Sequence, residues 1–223
     1  LSTLSLTDSP DGDTIETTPH RARLEKTREE RTVMDLKSFS ALEWAHKFIR
    51  EHVKPGDLCI DATAGRGHDT ALLCGLVGET GHVTAFDIQS DAIASTNARL
   101  AELGYTDRAT VIQGSHSTMG EYAQPGTISC ITFNFGWLPG GDHNIFTHAD
   151  TSIAAIGQGL ELLREDGIMS LCIYYGRETG FAERDALLAY LRTIDSKQYT
   201  VMICEFANRS NCPPIPVLIW KGK

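Results

Sequence analysis

The sequence predicts an α/β fold: a mostly parallel sheet with helices on both faces, closed by a C-terminal antiparallel hairpin. From residue 40 onward, short apolar runs alternate with segments whose apolar residues recur at helical spacing, as in a parallel sheet with crossover helices. The last two apolar runs are joined by an Asn/Ser/Pro loop with no helix between them, so they are expected to pair antiparallel. A glycine turn links the first strand to its helix. In such sheets ligands gather at the carboxyl ends of the strands.

The elements follow in order. "SALEWAHKFIREHV" offers Ser40 as an N-cap with Glu43 three residues on, and Leu42, Ala45, His46, Ile49 and Val53 at helical spacing. Pro55-Gly56-Asp57 turns the chain into "LCIDAT", a short buried strand. "GRGHDTALLCGLVG" is a glycine turn running into a helix, and "HVTAFDI" is the second strand. "SDAIASTNARLAELG" is a helix expected to start at a Ser90/Asp91 cap and to end at Gly104. "ATVIQGS" and "ISCITFNF" are strands. "DTSIAAIGQGLELLRED" is a helix stopped by Gly167, "IMSLCIYYG" is the fifth strand, and "FAERDALLAYLRTI" is another helix. There is no internal repeat.

At 223 residues and 41% hydrophobic content, the chain can bury one full core. It has no run of about 18 apolar residues. The six cysteines form no Cys-x-x-Cys pair and mostly sit inside apolar runs, where Cys acts as a small hydrophobe. Neither a zinc site nor a disulfide framework is suggested, and a reducing cytoplasm is the expected compartment. Cys212, in a Pro-rich loop, is the one thiol to watch, although simple exposure explains it more economically. A net charge of −9 argues against non-specific grip on nucleic acid, so an RNA substrate would need a local basic patch or a partner. Residues 1–33 read as an extension. The first 19 are Ser/Thr/Asp-rich and loosely attached, and the rest are a solvated mixed-charge segment, with the compact domain spanning 34–223. The early acidic residues argue against a transit peptide.

In "DATAGRGHDT", Gly65 and Gly67 permit a tight turn and close approach of a ligand to the backbone. The third glycine of a G-x-G-x-x-G pattern is missing, since residue 70 is Thr, and an ordinary strand-to-helix turn would look the same. Asp87, at the end of the second strand, strengthens the ligand reading, because an acid there accepts hydrogen bonds from ribose hydroxyls; Ile88 follows it. The cofactor is then NAD or S-adenosylmethionine. The turn carries Asp61, His68, Asp69 and Thr70, which suit the ammonium and carboxylate of S-adenosylmethionine and oppose a pyrophosphate. Ser115 and His116 leave the third strand where an adenine would sit, although a loop histidine bonded to backbone is an equal reading of His116. No metal is expected.

The fourth strand ends in "FNFGWLPGGDH". Methyl transfer to an amine needs its lone pair aimed in line with the donor. An amide oxygen at Asn134 can hold the amine, and the Trp137 face can stack on a planar base. The alternative is that Asn134 caps a turn and Trp137 is core. Asp142 or His143 could take the amine's proton. Gly140 and Gly141 lend the loop mobility, and Phe135 and Pro139 belong to the same substrate stretch. Tyr175 and Arg177 leave the fifth strand on this edge, where Arg177 could meet a phosphate. Asn208, Arg209 and Asn211 are weaker candidates, explained as well by turn chemistry.

Taken in order, "ALEWAHKFI", "KPGDLCIDATAGRGHDT", "FDIQ", "GSH", "FNFGWLPGGDH", "IYYG" and "NRSNCPP" resemble a bacterial family of class I S-adenosylmethionine-dependent methyltransferases, first labelled rRNA methylases. That family is now linked to methylation of 5-aminomethyl-2-thiouridine at the tRNA wobble position. The likeness runs from about Met34 to the end. It implies a seven-stranded class I fold, S-adenosylmethionine as cofactor, a tRNA amine as acceptor and a homodimer. It carries cofactor roles to Asp61, Thr63, Gly65, Gly67, Asp69, Asp87, Ser115 and His116, and substrate roles to Asn134 through Asp142. The chain departs from the family at Arg66 (usually Asn), Trp137 (Tyr), His143 (Lys) and Arg177 (His). Rival readings are rRNA or small-molecule methylation on the same fold, a non-catalytic S-adenosylmethionine-binding module, and an NAD enzyme.

Overall fold

The computed structural model describes residues 39–136 and 147–222, with backbone alone for 177–179. The 1–33 extension lies outside the described residues. The helices are α1 (Ala41–His52), α2 (His68–Val77), α3 (Ser90–Leu103), α4 (Ala149–Leu162) and α5 (Arg177–Leu191). The strands are β1 (Leu58–Asp61), β2 (His82–Asp87), β3 (Ala109–Gln113), β4 (Ile128–Phe135), β5 (Leu163–Ile173), β6 (Tyr199–Ile203) and β7 (Ile215–Lys221).

One seven-stranded sheet has the order β3-β2-β1-β4-β5-β7-β6. Strands β1 to β5 pair in parallel, and β7 runs antiparallel to both β5 and β6. The expected terminal hairpin is present, with its second strand inserted against β5. The order reverses direction between β1 and β4, the crevice at which doubly wound sheets bind ligands.

Burial follows from strand alternation. On one face α1, α2 and α3 bring Phe48, Ile49, Leu73, Val77 and Leu100 onto Cys59, Val83 and Cys130. On the other, α4 and α5 bring Ile156, Leu160, Leu187 and Leu191 onto Ile131, Phe133 and Met169. Within β4, Ile131, Phe133 and Phe135 therefore point toward α4 and α5, and Asn134 points toward α1 and α2. That parity decides what Asn134 can reach.

Local signals set most helix ends. Ser40 Oγ accepts the Glu43 N–H at 3.1 Å, the first half of the expected capping box. Gly104 ends α3 in the left-handed conformation at φ +70°. Two expectations are corrected. First, α3 is preceded by Gln89 with no side-chain cap, so Ser90 and Asp91 lie inside the helix; Asp87 Oδ1 instead accepts the Gln89 N–H at 2.9 Å. Second, α4 ends at Leu162 rather than running on to Gly167, because Leu163 already pairs with Ile128 of β4. Tertiary pairing overrides the helical preference of Leu-Arg-Glu-Asp there. A register shift follows between Ile128 and Cys130, and Gly167 passes so close that a Cβ would lie 2.8 Å from Arg164 O.

Cys59, Cys74, Cys130 and Cys172 are buried free thiols and Cys212 is exposed, as their sequence contexts imply. Among the described residues no helix is long and apolar enough to cross a membrane.

Gly81, between α2 and β2, is enclosed more tightly: a Cβ would lie 2.5 Å from both Asp57 O and Val77 Cβ. Gly81→Ala is expected to cost about 1–3 kcal/mol in urea unfolding. A stability equal to wild type would show that this contact is looser than described.

Candidate active site

The turn after β1 is held by backbone bonds to both neighbouring strands: Ala62 N–H to Thr132 O at 2.9 Å and Ala64 N–H to Phe86 O at 2.8 Å. Gly65 and Gly67 have φ of +55° and +74°, a region that disfavours side chains. The N-terminus of α2 then has no side-chain cap. Helix α3 braces the turn from behind. A Cβ at Gly67 would lie 2.9 Å from Thr96 Cα, and Thr96 Oγ1 donates to Gly65 O at 3.3 Å. Arg99 Nε donates to Arg66 O at 2.8 Å and its Nη2 lies 3.2 Å from His68 Nε2. Burial, then the Arg99 charge, holds the His68 ring below its ordinary pKa. Sequence reasoning missed Thr96 and Arg99, whose only signal is a three-residue spacing on α3.

Three acids surround the turn. Asp87 Oδ2 accepts the Gly65 N–H at 2.9 Å, so the acid that ends β2 also fixes the glycine turn. Asp61, expected to face an ammonium, has no exposed surface. It accepts from Thr70 Oγ1 at 2.6 Å and from the Thr63 N–H at 3.2 Å. Burial, then the neighbouring Asp69 carboxylate, pushes its carboxyl up to about 7. Asp61 therefore works from inside, tying the start of α2 to the end of β1.

Asp69 joins three elements. His46 Nε2 of α1 lies 2.7 Å from its Oδ1, and Asn134 Nδ2 of β4 donates to its Oδ2 at 2.7 Å. A carboxylate only accepts, so the histidine donates and the amide turns its NH2 toward Asp69. Asn134 Oδ1 is thereby directed away from Asp69. The Asn134 backbone N–H is held too, by Thr63 Oγ1 at 2.6 Å. The turn-capping alternative for Asn134 is not what the side chain does. His46 was legible only as one more residue of a helical pattern.

The other expected residues divide. Phe135 is fully buried, stacked on Phe133 at 5.0 Å, because alternation puts it on the opposite face from Asn134; it is core rather than substrate surface. His116 turns inward against Phe133 and Phe135, and burial lowers its pKa; its Nε2 is buried with no hydrogen-bond partner among the described residues. Ser115 caps its own turn by accepting the Ser117 N–H at 3.2 Å. Ile88 is 54% exposed directly after Asp87, an apolar side chain left open beside the turn. Tyr175 is half-buried at the exit of β5. Trp137, Pro139, Asp142 and His143 lie outside the described residues, and of Arg177 only the backbone, at the first position of α5, is described. Around that gap, Gly136 N–H donates to Thr147 Oγ1 at 2.9 Å and Thr147 N–H to Gly136 O at 3.0 Å. Thr147 Oγ1 and Ser152 Oγ in turn donate to the buried Glu183 carboxyl at 2.8 and 3.0 Å. Among the described residues no group of three or more His, Cys, Asp or Glu could hold a metal ion.

A seven-stranded sheet with an antiparallel β7, a braced glycine turn after β1 and an acid at the end of β2 define a class I methyltransferase. Residues 83–220 match the family described as "Putative rRNA methylase". The chain belongs to that family. It is 33% identical over 192 residues to the Arabidopsis thaliana tRNA (mnm(5)s(2)U34)-methyltransferase, chloroplastic, covering 82% of this chain and 69% of that protein. A crystal structure from Clostridium thermocellum described in the family's own words superposes with a TM-score of 0.80 at 44% identity, covering 82% of this chain and 97% of that one. A "putative methyltransferase" from Streptococcus mutans in complex with SAH gives 0.74 at 32% identity, covering 81% and 97%.

Two predictions follow from this geometry. His46→Ala leaves Asp69 Oδ1 without a donor and should cost about 1–3 kcal/mol in urea unfolding, whereas His46→Gln, which still donates, should recover most of it. Equal losses in both variants would remove the hydrogen bond from the account. For Asp61, the raised pKa means that the folded state holds a proton the unfolded state has lost, from about pH 4 to about pH 7. Stability from this group is present at the acid end of that window and is lost as pH rises through it. Between about pH 5.5 and about pH 8, wild type should lose about 2 kcal/mol relative to Asp61→Asn. A gap independent of pH would refute it.

Proposed function

We propose that this chain transfers a methyl group from S-adenosylmethionine to the amine of a 5-aminomethyl (2-thio)uridine at the tRNA wobble position. The observation that carries the reading is the orientation of Asn134. Its NH2 is engaged by Asp69, which leaves its Oδ1, with no partner among the described residues, as the acceptor for one N–H of an amine at the carboxyl edge of β4. The Arabidopsis relative supports the nucleoside, by the activity its name states.

The residues present fit the cofactor. The bare N-terminus of α2 and the two glycines suit a carboxylate, and the carboxylates of Asp69 and Asp87 around the turn complement a ligand carrying an ammonium and a sulfonium, with Asp61 holding the turn from inside. Gly65, Gly67, Thr63, Thr70, Asp87, Ile88, Ser115 and His116 would line that place. When bound, S-adenosylmethionine supplies a methyl group activated on a positive sulfur. Asn134 Oδ1 holds the amine so that its lone pair points along the line of displacement. The Trp137 indole stacks on the uridine ring. Asp142, with His143, takes the proton the amine must lose for its lone pair to react. Arg177 contacts a phosphate. The buried free thiols accord with a reducing compartment such as the cytoplasm.

A second reading, a small amine as acceptor, draws on the net charge of −9. The two separate in one assay. Labelled S-adenosylmethionine is incubated with tRNA lacking only this methyl group, and nucleosides are resolved by mass spectrometry. Label is expected in the wobble nucleoside; label in rRNA or in small amines, with none in tRNA, would overturn the tRNA assignment. Asn134→Ala should lower kcat about a hundredfold while leaving cofactor affinity by calorimetry within about twofold. Unchanged turnover would remove Asn134 from the mechanism.

A further inference from the structure

A second cleft, of about 350 Å³, opens beside Tyr175 at the exit of β5, and the chemistry above does not use it. Tyr175 and Arg184 line it from the α5 side; Phe206, Arg209, Pro213 and Pro214 line it from the β6–β7 loop. Both guanidiniums lie over aromatic rings. Arg184 Cζ is 4.8 Å from the Tyr175 centroid, and Arg209 Cζ is 3.9 Å from that of Phe206. Arg184 also pairs with Asp185 at 2.6 Å. Arg209 donates to Phe39 O at 3.1 Å and, among the described residues, has no carboxylate partner.

These groups select a ligand class. Asp185 and Glu205 line the same cleft and would repel a bare anion. An apolar ligand would leave the guanidiniums and carboxylates unused. A nucleotide uses them all. Its base stacks on the aromatic and guanidinium planes, its N–H groups meet the carboxylates, and its phosphate meets Arg209. The position agrees. The Tyr174 N–H donates to Phe135 O at 2.9 Å, so the exits of β4 and β5 are tied together. Tyr175 thus brings the cleft to the carboxyl end of the strand that neighbours the one carrying Asn134.

We propose that this cleft holds one unstacked nucleotide of the RNA that neighbours the methylated one. The inference rests on the RNA reading of the active site. It also accounts for how a chain of net charge −9 can take an RNA substrate: stacking and one exposed guanidinium replace a broad basic surface.

The test is equilibrium binding, by fluorescence anisotropy, of an anticodon stem-loop in which one loop nucleotide at a time is made abasic. In wild type, one abasic position other than the wobble nucleotide should weaken binding about tenfold or more. In Phe206→Ala that same position should matter by less than about twofold, because the stacking partner is already gone. Arg209→Ala should flatten the slope of log affinity against log salt by about 0.7. Calorimetry should show cofactor affinity unchanged in both variants. The proposal is overturned if Phe206→Ala responds to the abasic series as wild type does, or if Arg209→Ala leaves the salt slope unchanged. If wild type binds an rRNA fragment and no stem-loop, the tRNA assignment fails while the abasic series, run in that fragment, keeps the same two expected outcomes. If wild type binds no RNA, both readings fall.

Discussion

Asp69 is the interaction on which the arrangement depends. One enclosed carboxylate accepts from α1 through His46 and from β4 through Asn134, and its own backbone opens α2. Three elements far apart in sequence are thus registered to one another by two short bonds. In a low-dielectric interior such bonds are strong, and leaving either oxygen bare is costly. The geometry at the end of β4 is inherited from this junction.

The surrounding acids build a field as well as a scaffold. Asp61 is held at the edge of ionisation by burial and by Asp69, while Asp87 spends both oxygens on backbone N–H groups of the glycine turn and of the approach to α3. A site that concentrates carboxylates in this way favours a cationic guest and disfavours a second anion. The turn is closed from behind by Thr96 and Arg99, which hold its carbonyls.

Much of this was readable from residue order alone, because the signals are local. Short apolar runs alternating with segments of helical period gave the strands and helices, a missing helix gave the terminal hairpin, and Gly65, Gly67 and Asp87 marked the ligand end. Failures occurred where a distant element decided the outcome. The run after Leu162 reads as helix but pairs with Ile128. Phe135 and Asn134 look equally placed for substrate, yet pleat parity sends the first into the core and the second to the site. His46, Thr96 and Arg99 sit on ordinary amphipathic helices, and their contacts span 23 or more residues, beyond any pattern window. Asp61 was expected to meet an ammonium because sequence carries no measure of how fully a side chain is enclosed.

The clasp between Gly136 and Thr147 has a consequence of its own. Because the two residues exchange hydrogen bonds and are anchored on Glu183, the chain leaves and re-enters the scaffold at a single point. Closing a segment that starts and ends together costs little more as it grows, about 0.6 kcal/mol for each doubling of its length. Letters between these two residues can therefore be exchanged, added or removed with little effect on the sheet. The sheet and the segment it carries are in that sense separate inheritances, and a lineage can revise the second while leaving the first untouched.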